Sequence, residues 1–211
     1  MPPALKAVLL AAGASSRMRG ADKLLMLVEG EPLLRRQAKA MLAAGLGPVA
    51  VTLPPEATAR AAVLEGLALT LLAVPDAASG LSASLRVAAR WAGDAALMVA
   101  PADMPELSAE DFSAAAAGFH SARPLRATGA DGTPGHPVIF PAALLPLFAG
   151  LTGDEGARAI LRAHPPVLLP LPGSRALTDL DTPEDWAEWR NRERRSAASG
   201  AGGQPPDPRD I

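Results

Sequence analysis

The sequence predicts a single α/β domain built on a mostly parallel β-sheet. Short apolar runs typical of buried strands alternate with segments of helical periodicity, which is the pattern of βαβ units. The chain has 211 residues, enough for one well-packed domain. Aromatic residues make up only 3% of the sequence, so the predicted core is aliphatic.

The first half of the chain carries the clearest alternation. Residues 6–12 form a short apolar run that ends at Gly13, as expected for a buried parallel strand. A helix is predicted over residues 33–44, because Pro32 precedes this periodic segment and Gly45 follows it. The other elements predicted here are strands over 48–53, 68–74 and 95–100 and helices over 56–64 and 82–91.

The rhythm changes after Phe119. Two predicted strands, 125–128 and 137–140, flank the turn-forming residues 129–132 and indicate a small β-hairpin insertion. The last elements predicted are helices over 142–148, 156–163 and 183–194 and a strand over 167–171. The domain is therefore predicted to span residues 1–195. The segment 196–211 is rich in Gly, Pro and Ser, and it is predicted to be a disordered tail.

Composition excludes several classes of protein. The net charge of −2 argues against nucleic acid or an anionic membrane as the main partner. The chain has no cysteine, so disulfides, thiolate metal sites and cysteine nucleophiles are excluded. No apolar run approaches the roughly 20 residues of a membrane span, and residues 1–12 lack the pattern of a signal peptide. A cytoplasmic protein is expected.

The segment from Leu10 to Lys23 is the strongest candidate for a binding site. It follows the first predicted strand, and ligands of open α/β sheets bind beyond the carboxyl ends of the strands. Its small residues let backbone N–H groups approach a phosphate, and Arg17 and Lys23 supply positive charge. Lys23 is one of only three lysines in the chain. The alternative is a Gly/Ser loop with two solvated cations.

Two familiar phosphate-binding loops do not fit this segment. Counting from Gly13, Ser15 and Met18 occupy the positions of the second and third glycines of a dinucleotide-binding pattern. A Walker A loop needs Ser or Thr after its lysine, and Leu24 follows Lys23. The sequence therefore predicts neither a dehydrogenase nor a P-loop ATPase.

The pattern L-A-A-G-x-S-x-R-M followed by K resembles the nucleotide-binding loop of nucleotidyltransferases with one Rossmann-like domain. Within this MobA-like NTP transferase group, the resemblance is closest to the molybdenum cofactor cytidylyltransferases. It extends over nearly the whole chain short of the tail. Five further pieces match in order: Gly80–Leu85, Asp103–Pro105, Gly135–Val138, Gly153–Arg158 and Asp179–Asp185. One departure is that Arg19 intervenes before Gly20, where the family usually reads R-M-G-x-x-K.

The resemblance implies a three-layer α/β/α fold and a nucleotide site. The nucleotide-binding residues carried over are Leu10, Ala11, Ala12, Gly13, Arg17, Lys23, Gly80 and Ser84, the last two as contacts to the base. Taken without the resemblance, Ser82 is simply a good N-cap for the helix that follows. Arg17, Lys23 and Asp103 are the predicted catalytic residues.

A Mg²⁺ site is predicted at two carboxylates. Asp103 follows a buried strand between two prolines, and Mg²⁺ prefers one or two protein carboxylates together with phosphates and water. The resemblance implies Asp181 as the second ligand. Alternatively, Asp181 caps the helix that opens at Pro183, and Asp179 then takes its place as a ligand. Thr182 competes with Asp181 for the capping position.

The resemblance places the Gly135–Val138 turn at the acceptor pocket, so His136 and Arg158 are predicted to bind the acceptor. A packed His136 and a surface Arg158 are the simpler interpretations. The sequence offers no convincing nucleophile–base pair, which suits transfer to an acceptor that is itself the nucleophile.

The reaction implied is CTP plus a molybdopterin-type cofactor, a phosphorylated pterin, giving the cytosine dinucleotide form and pyrophosphate. The implied recipient is a molybdoenzyme or its chaperone. CTP is preferred over GTP because guanylyl-transferring relatives tend to carry Gly where this chain has Ala12. The rivals are a guanylyltransferase, a sugar- or polyol-phosphate nucleotidyltransferase, and a non-catalytic nucleotide or cofactor carrier.

Overall fold

The computed structural model describes residues 4–120 and 122–200. The strands in these ranges are β1 (Leu5–Leu10), β2 (Leu27–Val28), β3 (Glu31–Pro32), β4 (Val49–Leu53), β5 (Thr70–Ala73), β6 (Ala96–Pro101), β7 (Leu125–Thr128), β8 (Pro134–Phe140) and β9 (Val167–Pro170). The α-helices are α1 (Leu33–Ala43), α2 (Thr58–Ala62), α3 (Leu81–Ala92), α4 (Ala109–Gly118), α5 (Arg158–Ala163) and α6 (Pro183–Gly200). Four 3₁₀ segments join them, at Ser16–Met18, Lys23–Leu25, Ala77–Ser79 and Ala142–Gly150.

Seven strands form one sheet in the order β5-β4-β1-β6-β8-β7-β9. The pairs β5–β4, β4–β1, β1–β6 and β7–β9 are parallel, whereas β8 runs antiparallel to both β6 and β7. The chain builds outward from β1 to β5 and then returns to place β6 on the other side of β1. This reversal is a topological switch point, where open α/β sheets bind their ligands.

Helices cover both faces of the sheet, because neighbouring residues of a strand point to opposite sides. Ala7 and Leu9 of β1 belong to a core with residues of α1 and α4, such as Met41 and Phe112. Val8 instead packs with α3, α5 and the 142–150 segment. The result is the three-layer α/β/α arrangement that the resemblance implies.

Helix α6 packs outside these two cores. Its Trp186 and Trp189 meet edge to face with ring centroids 6.1 Å apart, and both are buried with Met18 and Leu33. Helix α6 is thereby attached to the segment that follows β1.

Three differences from the predicted elements have local causes. Residues 142–150 form a 3₁₀ helix that contains Pro146, a residue that removes one N–H donor and disfavours a regular α-helix. Helix α4 was not predicted, although Ser108 and Asp111 form a capping box at its start. The strands β7 and β8 pair antiparallel as predicted but belong to the main sheet, and the separate small hairpin is β2–β3.

The last helix extends beyond its predicted end. Helix α6 runs to Gly200, whereas the tail was predicted to begin at Ser196. Residues 201–211 lie outside the described residues, so their predicted disorder stays a prediction. Among the residues that the structure describes, no helix is both long and apolar enough to cross a membrane.

Candidate active site

A cleft of about 780 Å³ lies at the carboxyl ends of β1 and β6. Leu10 and Pro101, the last residues of these strands, are paired in the sheet, so the loops that leave them start side by side. Strand β8 is antiparallel to β6, which brings its first residues to the same edge. The cleft lining includes Leu10–Arg17, Lys23, Gly80, Ser84, Asp103, Arg126, His136, Asp179 and Asp181. Nearly all of the predicted site residues therefore line one cavity.

The loop after β1 presents backbone donors without partners. Among the described residues, no acceptor is bonded to the backbone N–H groups of the segment Ala12–Arg17. Ala11 N–H, immediately before it, is bonded to the carbonyl and hydroxyl of Thr52, which fixes the start of the loop. Successive free N–H groups form a concave anion site of the kind that holds phosphates. The loop can therefore bind a polyphosphate through its backbone.

Lys23 lies between the two carboxylates predicted to bind a metal. Its Nζ contacts Asp103 Oδ2 and lies 2.6 Å from Asp181 Oδ1. The Lys23 and Asp103 side chains are only 14% and 15% exposed, so water screens this pair weakly. Burial by itself would lower the pKa of Lys23, but Asp103 and Asp181 outweigh burial and raise it. Lys23 is therefore a permanent cation in the cleft.

The carboxylates fit a divalent cation. Asp103 Oδ1 is buried and has no hydrogen-bond partner, so it offers a free ligand atom. Asp179 lies close by, and burial together with the charges of Asp103 and Asp181 raises its pKa. The described residues contain no group of three or more His, Cys, Asp or Glu side chains arranged around a metal. A cation here would bind through two carboxylates and complete its shell with substrate phosphates and water, as Mg²⁺ does.

The cap of α6 resolves the alternative for Asp181. Thr182 Oγ1 accepts from Asp185 N–H at 3.1 Å, and Asp185 Oδ2 accepts from Thr182 N–H at 2.8 Å. This reciprocal pair is a capping box, so Thr182 is the capping residue. Leu180 N–H is bonded to the Asp103 carbonyl at 3.1 Å, which holds the 179–181 segment against the cleft.

Arg17 and Arg19 have different positions. Arg17 is 68% exposed and reaches Asp181 Oδ2 at 2.6 Å, so it lies at the mouth of the cleft. Arg19, the additional residue of the loop, has a left-handed φ of 52° and is followed by Gly20 at 95°. Its side chain pairs with Glu184 of α6 at 2.6 Å. A tight turn thus absorbs the additional residue, and Lys23 still reaches the carboxylates.

Position 80 requires glycine, because its backbone conformation and its close neighbours leave no room for a side chain. It has φ +105°, and a Cβ there would lie 2.4 Å from Asp154 Oδ1. Asp154 also accepts from Leu81 N–H at 3.1 Å, so it binds the first turn of α3. The N-cap of α3 is Gly80, and Ser82 lies buried inside the helix, which corrects the capping role considered for Ser82. Gly80 and Ser84 both line the cleft, and their contact with a base stays a prediction.

The predicted acceptor side of the cleft contains a cation that sequence reasoning missed. Burial, and then the charge of Arg126, lower the pKa of His136 to about 4, so His136 is neutral at neutral pH. The cation here is Arg126 of β7, whose guanidinium donates to the carbonyls of Pro134 and Gly135. Burial, and then the like charge of Arg158, lower the pKa of Arg126. Arg158 itself is exposed and does not line the cleft.

Two arginines gave little warning in the sequence. Arg126 lies in the predicted strand 125–128, close to the turn that leads to the predicted acceptor piece Gly135–Val138. This closeness could have identified Arg126 as a candidate site residue. Arg60 contacts the back of the loop after β1, although nothing in its predicted helix distinguishes it from a surface arginine. Its contact partners are 38 to 49 residues away in the chain.

Known proteins share this sequence and fold. Residues 7–167 match the model of the MobA-like NTP transferase domain. Nicotine blue oxidoreductase of Paenarthrobacter nicotinovorans is 32% identical over 183 residues, 77% of this chain and 84% of that protein. The purine catabolism protein PucB of Bacillus subtilis is 31% identical over 201 residues, 87% of this chain and 95% of that protein.

Solved structures show the same architecture. Rv0371c from Mycobacterium tuberculosis superposes with a TM-score of 0.80 at 24% identity, over 90% of this chain and 100% of that chain. A structure of Rv0371c in complex with manganese superposes with a TM-score of 0.75 at 22% identity, over 89% and 98%. The family match covers most of the chain, and the relatives align along most of their own length. The chain therefore belongs to the MobA-like NTP transferase domain family, a family of nucleotidyltransferases.

Proposed function

We propose that this chain transfers CMP from CTP to a molybdopterin-type cofactor and releases pyrophosphate. The observation that most directly supports nucleotide transfer is the composition of the cleft. Residues Ala12–Arg17, whose N–H groups have no bonded acceptor among the described residues, line the same cavity as Lys23 and the carboxylates of Asp103 and Asp181. The first group suits the phosphates of a nucleotide, and the carboxylates suit the cation that accompanies them.

In this reaction an oxygen of the acceptor's phosphate attacks the α-phosphorus of CTP. A new phosphorus–oxygen bond forms, and the bond from the α-phosphorus to the oxygen bridging to the β-phosphate breaks. The electron pair of that bond leaves with pyrophosphate. A phosphate monoester is largely a dianion near neutral pH, so the attack needs no protein base. Catalysis then depends on positioning two anions and neutralising the charge that develops between them.

The residues of the cleft divide these tasks. The loop amides bind the triphosphate, and Lys23 and Arg17 neutralise the charge that builds up on the departing pyrophosphate. Asp103 and Asp181 would hold Mg²⁺, which when bound supplies charge neutralisation between the phosphates. A manganese complex of the structural relative Rv0371c supports a divalent cation at this fold.

The choice of CTP rests on Ala12. Its side chain is buried against Val74 and Ala83, so its methyl sets the separation between the loop and the start of α3. These two segments are the proposed boundaries of the base pocket, and a close separation favours a pyrimidine. One methyl group contributes only about 1–3 kcal/mol of discrimination, so the preference is modest.

The acceptor is proposed from the family resemblance together with the charge at the far side of the cleft. Arg126 lines the cleft beside neutral His136, and the structure records no carboxylate partner for it among the described residues. A half-buried arginine without a counter-ion suits a phosphate group of the acceptor. Arg126 is therefore the proposed cation for this phosphate, beside the predicted acceptor contact His136.

A reductase is the second candidate, because one relative is named nicotine blue oxidoreductase. Such a reaction would need a redox cofactor. Ser15 and Met18 stand where a dinucleotide-binding loop has glycines, and this departure favours nucleotide transfer.

The deciding experiment is pyrophosphate release measured with each of the four NTPs, Mg²⁺ and molybdopterin. We expect release only when acceptor and nucleotide are both present, and fastest with CTP. Release with GTP alone among the NTPs would contradict the choice of base. Nucleotide binding without release would indicate a carrier, and oxidation of added NADPH coupled to reduction of added nicotine blue would favour the reductase.

A matched pair of variants controls for loss of charge. Asp103→Asn should abolish release, because it removes the buried carboxylate assigned to the cation. Asp94→Asn changes the net charge equally at an exposed position and should leave the rate unchanged. Equal rates in the two variants would contradict the role of Asp103.

A further inference from the structure

Arg60 is a buried charge that the chemistry above does not use. It lies in α2, and its side chain is only 7% exposed. All five of its N–H donors have partners. Nε and Nη2 bind Asp22 at 2.7 and 3.0 Å, Nη1 binds the carbonyls of Ala11 and Gly13 at 2.6 and 2.8 Å, and Nη2 also reaches Ser15 Oγ at 3.3 Å. Among the described residues, no other side chain from outside the loop makes as many hydrogen bonds to it.

The two carbonyl contacts orient the loop. In a trans peptide unit the C=O and the following N–H point in opposite directions. Because the carbonyls of Ala11 and Gly13 point at Arg60, the N–H groups of Ala12 and Ala14 point away from it. Arg60 does not line the cleft, whereas Ala11–Arg17 do, so Arg60 lies behind the loop. It also neutralises carbonyl dipoles that would otherwise be free to turn toward a phosphate.

The contact with Asp22 extends this control to Lys23. Asp22 caps the 3₁₀ turn Lys23–Leu25, where its Oδ1 accepts from Leu24 N–H at 3.1 Å. The same oxygen accepts from Ser15 Oγ at 3.4 Å. Arg60 and Asp22 together thus connect the start of the loop to the turn that carries Lys23.

We propose that Arg60 is a positioning residue for the triphosphate, which it never touches. It turns the loop amides toward the cleft and, through Asp22, fixes the turn that directs Lys23. This proposal rests on the proposed nucleotide binding. It predicts that changing Arg60 weakens the recognition of phosphates and spares the recognition of the base.

The test is calorimetric titration of wild type, Arg60→Lys and Arg60→Met with Mg·CTP, Mg·GTP, cytidine and guanosine. Lysine keeps the charge opposite Asp22 but has three donors where arginine has five. We expect Arg60→Lys to weaken triphosphate binding at least about tenfold, because charge-assisted hydrogen bonds are lost, and to change nucleoside binding less than about twofold. Arg60→Met should have the larger effect.

Arg35 provides a matched control. It also donates to two loop carbonyls, those of Val63 and Glu65 at 2.8 and 3.0 Å, and none of these three residues lines the cleft. Arg35→Met should lower the unfolding temperature and leave both affinities unchanged. The same result for Arg60→Lys, or equal losses for triphosphate and nucleoside, would overturn the proposal.

The remaining outcomes are also decisive. If Arg60→Met does not fold, Arg60→Lys decides, and failure of both to fold would assign Arg60 to stability and overturn the positioning role. If the wild type binds neither triphosphate, the proposed function itself fails. Wild-type binding with an unaffected Arg60→Lys variant would overturn only the role of Arg60.

Discussion

At the scale of single residues, Lys23 occupies the place where a divalent cation is expected. Its ammonium contacts one oxygen of Asp103 and one of Asp181, the two proposed ligands. A cation that binds before the nucleotide must therefore compete with a buried positive charge. A nucleotide relieves that competition, because its phosphates offer Lys23 another partner.

Replacing Lys23 should consequently have opposite effects on metal and nucleotide. We expect Lys23→Met to bind Mn²⁺ alone at least about tenfold more tightly than wild type, because a charge about 4 Å from another contributes on the order of 4 kcal/mol near a protein surface. The same variant should bind Mg·CTP more weakly. Electron paramagnetic resonance of free Mn²⁺ measures the first effect. Lys39→Met, which removes an exposed lysine, is the control, and equal Mn²⁺ affinity in both variants would contradict the competition.

His136 makes the stability of the fold depend on pH. Its pKa is about 4 in the folded protein against 6.5 normally. The unfolded chain therefore takes up the proton first as pH falls below 6.5. The stability contributed by neutral His136 is complete above pH 6.5 and is lost progressively down to about pH 4, by up to about 3 kcal/mol.

Urea unfolding at pH 7 and at pH 4.5 checks this dependence. His136→Gln should show a smaller loss of stability between the two pH values than wild type, because glutamine does not titrate. His164→Gln alters an exposed histidine and should behave as wild type. An identical loss in wild type and His136→Gln would show that carboxylates alone cause the acid sensitivity.

At the scale of elements, the start of α3 depends on a close approach to the 153–154 loop. Gly80 gives that approach, and Gly135 does the same for β8, where a Cβ would lie 1.9 Å from the Ala176 carbonyl. Both glycines belong to the motif pieces on which the family resemblance depends. In this structure, both positions need glycine because the backbone packs closely around the cleft.

Gly80→Ala should therefore cost stability, by roughly 2–3 kcal/mol, since it forces a positive φ on alanine and a contact with Asp154. Gly13→Ala should stay within about 0.5 kcal/mol of wild type, because a Cβ at Gly13 meets nothing within 4 Å. Chemical denaturation of the two variants makes the comparison. If Gly80→Ala unfolds with the same free energy as wild type, the 153–154 loop can move away from the added Cβ, and the expected strain is absent.

At the scale of the whole molecule, the two proposed substrates meet across β6. The nucleotide is assigned to the loops after β1 and β6, and the acceptor to the starting residues of β8 and to Arg126 of β7. Binding of the nucleotide should therefore stabilise the entire domain by mass action, since the unfolded chain has no cleft.

Mg·CTP at about one hundred times its dissociation constant should stabilise the fold by about 2.7 kcal/mol and raise the melting temperature by roughly 5–10 °C. Thermal unfolding with and without EDTA measures this shift. Asp103→Asn should show a smaller shift, because the cation then loses a ligand. An equal shift by CTP in EDTA would argue against binding as a metal complex.

Much of this architecture follows from local pattern. Strands β1, β4 and β6 were predicted from their apolar runs, and helices α1 and α3 from their periodicity. Burial of one or two faces of an element produces such a pattern of apolar residues in the sequence. Helix α4 was missed despite its capping box. A helix was predicted over residues 142–148, and the structure has a 3₁₀ helix there that runs to Gly150.

The sequence by itself determined the α/β class and predicted that the loop after β1, Lys23 and Asp103 share one site, and the family resemblance added Asp181; all of them line one cleft. The loops that follow the parallel strands of an open sheet lie at one edge of it, so the strand that a motif follows indicates where the motif lies. Only the tertiary structure decided that Lys23 bridges both carboxylates, that Thr182 caps α6, and that Arg60 holds the loop from behind. These contacts join residues that are far apart in the sequence and meet only in the folded chain. Such a contact produces no repeating pattern of polar and apolar residues, so the sequence does not reveal it.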